Sequence, residues 1–492
     1  MKNNIWDSDN NRLFIILSIT FISVYFFPGV IYTRLFFLSF IPVIYFAKKD
    51  YLWLVWLFIL FDAPGYLFSG GYIDDPNRIP SYPIVTDISI SFYEIITFTL
   101  LIKSFRKKRI NYQFIFKKES LLFIGLFLFY FIYTFFFFKI EIVKAYRTLL
   151  PWTYVYIFYV LIDSEYKFLK FNKVLFPIVF IVLLMSLYSI LQGEHFVNLF
   201  KKGEQFLVKE NLEYQITPAA SKASRILFSV FIIFYCTIIS LFYYYKKESY
   251  FPKNYLLLII SIAYLSCIIT GTRGYFLALT FIIFISLIYN SSKGNLFIKI
   301  FRSFLIIAAV SIILINIFPV IKIQLDLAIE RLSTIIEFAK GDISIHRIEY
   351  RIPEMMEHIR RSPILGYGFS STYFNNTQND IGFHTTILNV GYLGIIFLYS
   401  IFIALIIKIW KYSKSYHYQR IYSKSGYIFI IGLLGILIFH FSTNISYGLD
   451  PGIHGSHHER YFIYALLLNQ FNLTVRTTKY IQMGKFWFTK WM

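Results

Sequence analysis

Apolar runs long enough to cross a bilayer follow one another along most of the chain, beginning with LFIILSITFISVYFF from Leu13. A transmembrane helix needs about 20 mainly apolar residues. The runs and the polar gaps between them predict an all-α polytopic integral membrane protein, a single membrane domain over residues 1–492 with about fourteen transmembrane helices. Their centres are expected near residues 21, 41, 60, 95, 129, 155, 182, 235, 262, 282, 311, 397, 435 and 467.

Positive charge is concentrated in the gaps on one side of this pattern. Only 15% of the residues are charged, against about 25% in soluble domains. Lysines and arginines prefer the cytoplasmic side, and alternate gaps hold most of them, which predicts that both termini are cytoplasmic. Basic inner loops also explain the net charge of +21 without a nucleic-acid partner. The inner segments are residues 1–12, 48–50, 103–119, 163–173, 246–253, 291–302, 408–424 and those after 473.

Two long connections are then expected on the outer side, a smaller one at 192–224 and a larger one at 319–384. The larger loop begins with IKIQLDLAIERLSTIIEFAK, whose apolar residues recur at helical spacing and predict an amphipathic helix along the membrane surface. In the RIPEMMEHIRR stretch that follows, Pro353 suits the first turn of a helix, and Arg360 and Arg361 suit the last. The SPILGYGFSS stretch then predicts a turn.

Arg273 lies between two apolar runs in CIITGTRGYFLALT, at the outer end of the ninth predicted helix. An arginine in hydrocarbon costs roughly 2.5 to 17 kcal/mol, and this cost falls if the side chain reaches lipid headgroups or meets an anion. The flanking Gly271 and Gly274 allow a ligand to approach closely. Both interpretations, a lipid-facing arginine and an anion clamp, remain open at this point.

Further outer arginines favour an anion site, because guanidinium groups bind phosphate oxygens in a bidentate manner. Each could equally be a solvated or lipid-facing charge. These residues are Arg147, Arg225, Arg347 and Arg351.

Histidines supply the candidate bases. His384 begins the helix expected near residue 397, where a neutral imidazole can accept a proton from a hydroxyl, although a lone histidine is more often structural. In HGSHHERYF, His457 and Arg460 are expected to contact substrate or solvent, because the histidine spacing matches no known metal-ligand pattern. We therefore expect neither a metal nor another cofactor.

The order of these features resembles the O-antigen ligase and polymerase superfamily. The residues that carry the resemblance are Thr272-Arg273-Gly274, Arg347-Ile348-Glu349, Pro363-Ile364-Leu365-Gly366-Tyr367-Gly368, His384 and Gly391-Tyr392-Leu393-Gly394. The resemblance covers roughly residues 220–400. Thr385 stands where the family has an asparagine after the histidine.

The resemblance implies a helical glycosyltransferase of GT-C-like architecture in the bacterial inner membrane, with the 319–384 loop in the periplasm. Its substrate would be a glycan on undecaprenyl diphosphate. By matching position, Arg273 and Arg347 would contact the diphosphate, while His384 would be the base or would orient the substrate. Glu349 is the reserve base.

The acceptor distinguishes two enzymes with this chemistry. A polymerase uses another lipid-linked repeat unit and a ligase uses lipid A–core; the span number and the surroundings of the histidine favour the polymerase. Membrane lipids are expected partners, and a chain-length regulator is left open as another. A lipid-glycan flippase is the alternative from a different class, but transporters tend to have repeated halves, which this sequence lacks.

Overall fold

The computed structural model is mainly helical. It describes residues 7–25, 30–61, 80–85, 88–107, 114–192, 230–269, 273–290, 352–376, 382–442 and 456–490. The helices are α1 (Ser8–Tyr25), α2 (Val30–Phe46), α3 (Asp50–Phe61), α4 (Phe92–Arg106), α5 (Lys117–Phe137), α6 (Ile142–Leu149), α7 (Thr153–Leu161), α8 (Glu165–Leu175), α9 (Ile178–Gln192), α10 (Val230–Tyr245), α11 (Lys253–Ile269), α12 (Arg273–Asn290), α13 (Ile352–Arg361), α14 (Ser371–Asn376), α15 (Gly382–Lys414), α16 (Tyr416–Tyr422), α17 (Tyr427–Ser442) and α18 (Ser456–Lys490).

The predicted helix centres agree with this order. Thirteen of them fall inside a helix, and the one near residue 311 lies outside the described residues. Within the described part, three helices are long and apolar enough to cross a membrane: Lys117–Phe137, Glu165–Met185 and Gly382–Lys414. The α16–α17 pair, bent by 86°, qualifies as a fourth if it forms one span. The protein thus has several membrane-helix candidates, and a total of about fourteen remains a prediction.

A short hairpin departs from the all-α expectation. Strands β1 (Ser81–Val85) and β2 (Ile88–Ser91) pair antiparallel, with a register shift between Pro83 and Val85. The ISIS sequence of β2 alternates apolar and polar residues, which is the period of a strand. This signal was missed because the apolar run of α4 follows immediately.

Glu94, which interrupts the fourth apolar run, marks the beginning of a helix. Its backbone N–H donates to the Ser91 hydroxyl at 3.2 Å, and its carboxylate accepts from the Ser91 N–H at 2.6 Å. This reciprocal pair is a capping box, which satisfies N–H groups at the start of a helix. An acidic residue in this apolar run therefore has a local structural reason.

The chain divides into two compact units. The first comprises Met1–Leu38, Leu52–Pro80 and Leu169–Ser344, and the second comprises Ser39–Tyr51, Ser81–Phe168 and Ile345–Met492. In the first unit, α11 packs between α9 and α10, and α12 packs against both α10 and α11. In the second, α7 packs against α4 and α18, while α15 packs against α5, α13 and α17.

Ion pairs within each unit join segments that the charge pattern places on the cytoplasmic side. In the first unit, Asp7 pairs with Lys170 at 2.7 Å and with Lys173 at 3.0 Å. In the second unit, Asp50 pairs with Lys103 at 2.6 Å. Glu119 and Lys408, also in the second unit, pair at 2.5 Å. These contacts agree with a common side for the segments concerned, and the orientation of the termini stays a prediction.

The faces of α5 differ in what they contact. Phe127 and Tyr130 are buried against protein, whereas Phe135, Phe136 and Phe137 are 60–73% exposed. Large exposed apolar surfaces are unfavourable in water, but a lipid-facing helix has such a surface because hydrocarbon is its solvent. This asymmetry agrees with α5 as a membrane-spanning helix.

Candidate functional site

The loop after α13 pairs with residues 388–393 of α15, on either side of Gly391. The N–H of Tyr367 donates to the carbonyl of Leu388 at 2.9 Å. The N–H of Gly368 donates to the carbonyl of Asn389 at 2.7 Å, and the Asn389 side-chain amide donates back to the Gly368 carbonyl at 2.5 Å. Two of the motif segments that are separated in sequence, the 363–368 loop and the segment around Gly391, are therefore in direct contact.

Two further bonds run in the opposite direction, from α15 to the loop. The contact between the 363–368 loop and residues 388–393 of α15 is called the junction below. The N–H of Tyr392 donates to the carbonyl of Pro363 at 2.9 Å, and that of Leu393 donates to the carbonyl of Ile364 at 3.1 Å. The helical hydrogen bonding of α15 is interrupted just before Tyr392 and Leu393, because Gly391 has φ 62° and ψ −178°. A helix break leaves backbone groups to be satisfied elsewhere, and the 363–368 loop supplies their partners.

Only glycine fits at the centre of the junction. A Cβ on Gly391 would lie 2.2 Å from the Ile364 carbonyl oxygen, and a Cβ on Gly366 (φ 65°) would lie 2.5 Å from the Asn389 carbonyl oxygen. Both residues also have positive φ, which side chains disfavour. The predicted turn at SPILGYGFSS is thus confirmed. Its backbone forms one side of the junction, and the interrupted helix α15 forms the other.

Two polar residues of α5 form hydrogen bonds to the backbone at and beside the junction. The Tyr130 hydroxyl donates to the carbonyl of Val390. The Thr134 hydroxyl accepts from the N–H of Phe369 at 2.9 Å and donates to the Tyr130 carbonyl at 2.6 Å. Neither residue was predicted from the sequence. Its signal is two polar residues four apart, on one face of an otherwise apolar helix.

Helix α13 covers the same region with an apolar face. Met355 and Ile359 are 1% exposed and belong to a cluster with Tyr367. The Tyr367 hydroxyl donates to the His358 carbonyl at 3.0 Å, and burial raises its pKa, so it remains a donor at neutral pH. The expected positions of Pro353 in the first turn and of Arg360 and Arg361 in the last turn are confirmed. The cluster also contains Phe127, Tyr130, Ala145, Phe369, Tyr373, Ile387, Leu388, Val390 and Ile395.

His384 lies in the first turn of α15, seven residues before the break at Gly391. It is partly exposed, and its ring meets the edge of the Phe383 ring with centroids 5.8 Å apart. The next residue, Thr385, is fully buried. The partly exposed imidazole thus projects from a helical segment whose other end is fixed by the junction.

Arg147 has protein partners. Its Nε donates to the Glu94 carboxylate at 3.1 Å, and its guanidinium also donates to the Ser89 carbonyl. Glu94 is 1% exposed, and a buried carboxylate needs a compensating charge. Arg147 therefore connects α6 to the hairpin and to α4 rather than to another candidate residue.

For the remaining candidate residues, the structure describes either the backbone position alone or nothing. Arg273 is the first residue of α12, and His457 and Arg460 lie in the first turn and a half of α18. Arg225, Arg347, Glu349 and Arg351 lie outside the described residues, as does the predicted amphipathic helix. Among the residues that the structure describes, no group of three or more His, Cys, Asp or Glu could hold a metal ion.

A comparison with protein families identifies one match. The family described as O-antigen ligase matches residues 256–391, which begin in α11 and end at the break in α15. The matched part lies inside the 220–400 region and includes all of the motif residues up to Gly391. No curated protein matches the chain. The family match confirms the resemblance to the O-antigen ligase and polymerase superfamily that the ordered motifs predicted.

Proposed function

We propose that this protein is a membrane glycosyltransferase that polymerises undecaprenyl-diphosphate-linked repeat units of O-antigen or a related surface polysaccharide. The reaction takes place at the outer face of the bacterial inner membrane. The observation that carries the proposal is the O-antigen ligase match over 256–391. The contact between the 363–368 loop and α15 supports it, because this contact fixes the helix that begins beside His384.

The proposed reaction exchanges one glycosidic bond for another. An acceptor hydroxyl attacks the anomeric carbon of the donor sugar from the side opposite the diphosphate, so that the configuration inverts. The new C–O bond forms as the bond to the diphosphate breaks, the hydroxyl proton passes to His384, and undecaprenyl diphosphate leaves with the bonding electrons. His384 is the proposed base, and Glu349 is the reserve.

Arginines take the role of stabilising the leaving group. Negative charge grows on the diphosphate as it leaves, and preorganised positive groups at that charge usually make the largest catalytic contribution. We assign this role to Arg273 and Arg347, with Arg351 and Arg225 as further diphosphate or glycan contacts and His457 and Arg460 as glycan contacts. The contacts of Arg147 with Glu94 and Ser89 favour a supporting role for that residue.

Substitution in cells tests the proposal. Arg273→Ala and His384→Ala should each abolish the long-chain ladder when surface polysaccharide is separated on a gel. His417→Ala and Arg420→Ala are matched controls, because both residues are exposed on α16 and should leave the ladder intact. Epitope-tagged protein levels must be equal. An unchanged ladder in both test variants would show that the assignment is wrong.

The ligase is the second candidate, because the matched family is described as O-antigen ligase. Deletion of the gene separates the two. Loss of a polymerase leaves single repeat units attached to lipid A–core, whereas loss of a ligase leaves bare core. We expect single repeat units.

A further inference from the structure

A groove of about 1600 Å³ opens within the second unit. Residues of α4, α5, α7, α15 and α18 line it. Its volume exceeds the roughly 300–1,000 Å³ of a typical small-molecule pocket. Among the residues proposed above for the reaction, His384 has a described side chain, and it does not line the groove. The groove meets α15 at Lys408 and Tyr412, which lie 24 and 28 residues beyond His384.

The wall of the groove is apolar and accessible. Phe105 of α4 and Leu121 of α5 line it and are 58% and 56% exposed. Ile124, one turn beyond Leu121, continues the same face of α5 and is 39% exposed. Side chains of this kind at helical spacing form an apolar strip. The strip suits a hydrocarbon chain.

One end of the groove is basic. Lys117 and Lys118 are exposed in the first turn of α5, and Lys107, Lys408 and Lys479 also line the groove. Asp163 is the acidic residue among the described lining residues, and it pairs with Lys167 at 2.9 Å.

Some of these lysines form ion pairs with acidic residues of the protein, and others do not within the described residues. Lys107 pairs with Asp50 at 2.7 Å and Lys408 with Glu119 at 2.5 Å. Within the described part of the chain, no ion pair is found for Lys117 or Lys118. These two ammonium groups can therefore accept an anion from outside the protein. They begin the same helix face that Leu121 and Ile124 continue, and seven residues of helix separate Lys117 from Ile124 by about 10 Å.

We propose that this groove binds an anionic glycerophospholipid. Its phosphate lies against Lys117 and Lys118, and an acyl chain lies along Leu121, Ile124 and Phe105. The charge of the lining decides between lipid classes, because lysines between membrane helices attract anionic headgroups and have no corresponding preference for zwitterionic ones. The lysines of the groove belong to segments that the charge pattern predicts on the cytoplasmic side, opposite the proposed glycan transfer.

Native mass spectrometry of the purified full-length protein tests this site. The probes are phosphatidylglycerol and phosphatidylcholine with identical acyl chains. We expect phosphatidylglycerol to bind about tenfold more tightly, and the Lys117→Gln/Lys118→Gln variant to lose that preference. The Lys411→Gln/Lys414→Gln variant is the matched control: it removes the same charge from exposed residues of α15 that do not line the groove, and it should retain the preference.

A second variant tests the apolar part. Ile124→Trp fills the groove without changing its charge and should weaken the binding of phosphatidylglycerol, provided that the variant elutes as a folded species. Equal binding of both lipids, an equal loss in both lysine variants or undiminished binding in Ile124→Trp would overturn the proposal. So would preferential displacement of phosphatidylglycerol by a polyprenyl phosphate, since the occupant would then be a different lipid.

Discussion

Gly368 and Asn389 exchange two hydrogen bonds, one from the glycine N–H to the asparagine carbonyl at 2.7 Å and one from the asparagine amide to the glycine carbonyl at 2.5 Å. They join the 363–368 loop to the half of α15 that carries His384. Because Asn389 is fully buried, water cannot replace these bonds. The geometry around His384 therefore depends on residues that have no direct part in the proposed reaction.

Gly391→Ala should destabilise the protein and abolish the polysaccharide ladder. The φ of 62° with ψ of −178° is a conformation that is essentially confined to glycine and costs other residues roughly 1–3 kcal/mol. The added Cβ would also overlap the Ile364 carbonyl. Thermal unfolding in detergent should show a lower midpoint. Gly125→Ala is the control: nothing lies within 4 Å of its added Cβ, and alanine favours a helix by about 1 kcal/mol. Equal behaviour of the two variants would contradict the described junction.

Asn389→Asp should be more damaging than Asn389→Ala. Alanine removes the donor to the Gly368 carbonyl, and loss of a buried hydrogen-bond partner costs about 1–3 kcal/mol. Aspartate replaces this donor by an acceptor and adds a buried charge, which costs more. The order of unfolding midpoints, wild type above Ala above Asp, is the measurement. If Asn389→Asp were as stable as Asn389→Ala, the side-chain amide of Asn389 would not face the Gly368 carbonyl.

Tyr130→Phe should lower stability by about 1 kcal/mol, because it removes a buried hydrogen bond to the Val390 carbonyl. Tyr133→Phe provides a matched comparison on the same helix. Its hydroxyl is 3.3 Å from the Gly366 carbonyl and only part-buried, so its loss should have a smaller effect. The free energy of unfolding of the two variants is measured in urea. A larger loss in Tyr133→Phe than in Tyr130→Phe would contradict the conclusion that Tyr130 of α5 stabilises the junction.

Arg147→Gln should destabilise the protein by roughly 3–5 kcal/mol, because it leaves the Glu94 carboxylate buried without a charged partner. In the double variant with Glu94→Gln, no charge remains unpaired, and we expect stability and the polysaccharide ladder to recover together. Unfolding midpoints and the gel are measured on the same variants. A stable double variant that still lacks the ladder would instead support direct contact between Arg147 and the diphosphate.

Stability should depend on pH through Asp7. Burial alone raises the pKa of this carboxyl, but hydrogen bonds from Lys170 and Lys173 outweigh burial and hold the pKa well below its usual range. A carboxyl whose pKa is lower in the folded than in the unfolded state stabilises the fold above the unfolded pKa of about 3.9 and loses that contribution as the pH falls towards the folded value.

Asp7→Asn should accordingly unfold at a lower temperature than the wild type at pH 7, with the difference narrowing below pH ~4. A difference that is constant over this range would show that the charge of Asp7 is not what stabilises the fold.

The candidate site was only partly predictable. The order of the motifs pointed to both sides of the junction, because glycines at fixed spacing can be recognised in a chain of this composition. It also pointed to His384, whose role stays a prediction. Tyr130 and Thr134 were missed because a tyrosine and a threonine in a helix predict no partner by themselves. The pairing of Arg147 with Glu94 was missed for a similar reason: the two residues are 53 apart in the chain, and only folding brings them to one place.

The sequence by itself determined the helical class, the order of the helices and the resemblance to the O-antigen ligase and polymerase superfamily. Apolar length and helical spacing are local properties, so thirteen helix centres could be identified without knowing any contact. Only the tertiary structure decided that the 363–368 loop pairs with the break at Gly391 and that Glu94 lies against Arg147. Such contacts depend on which backbone and side-chain groups remain unsatisfied after the helices have formed, and this depends on the packing of segments that are distant in the chain.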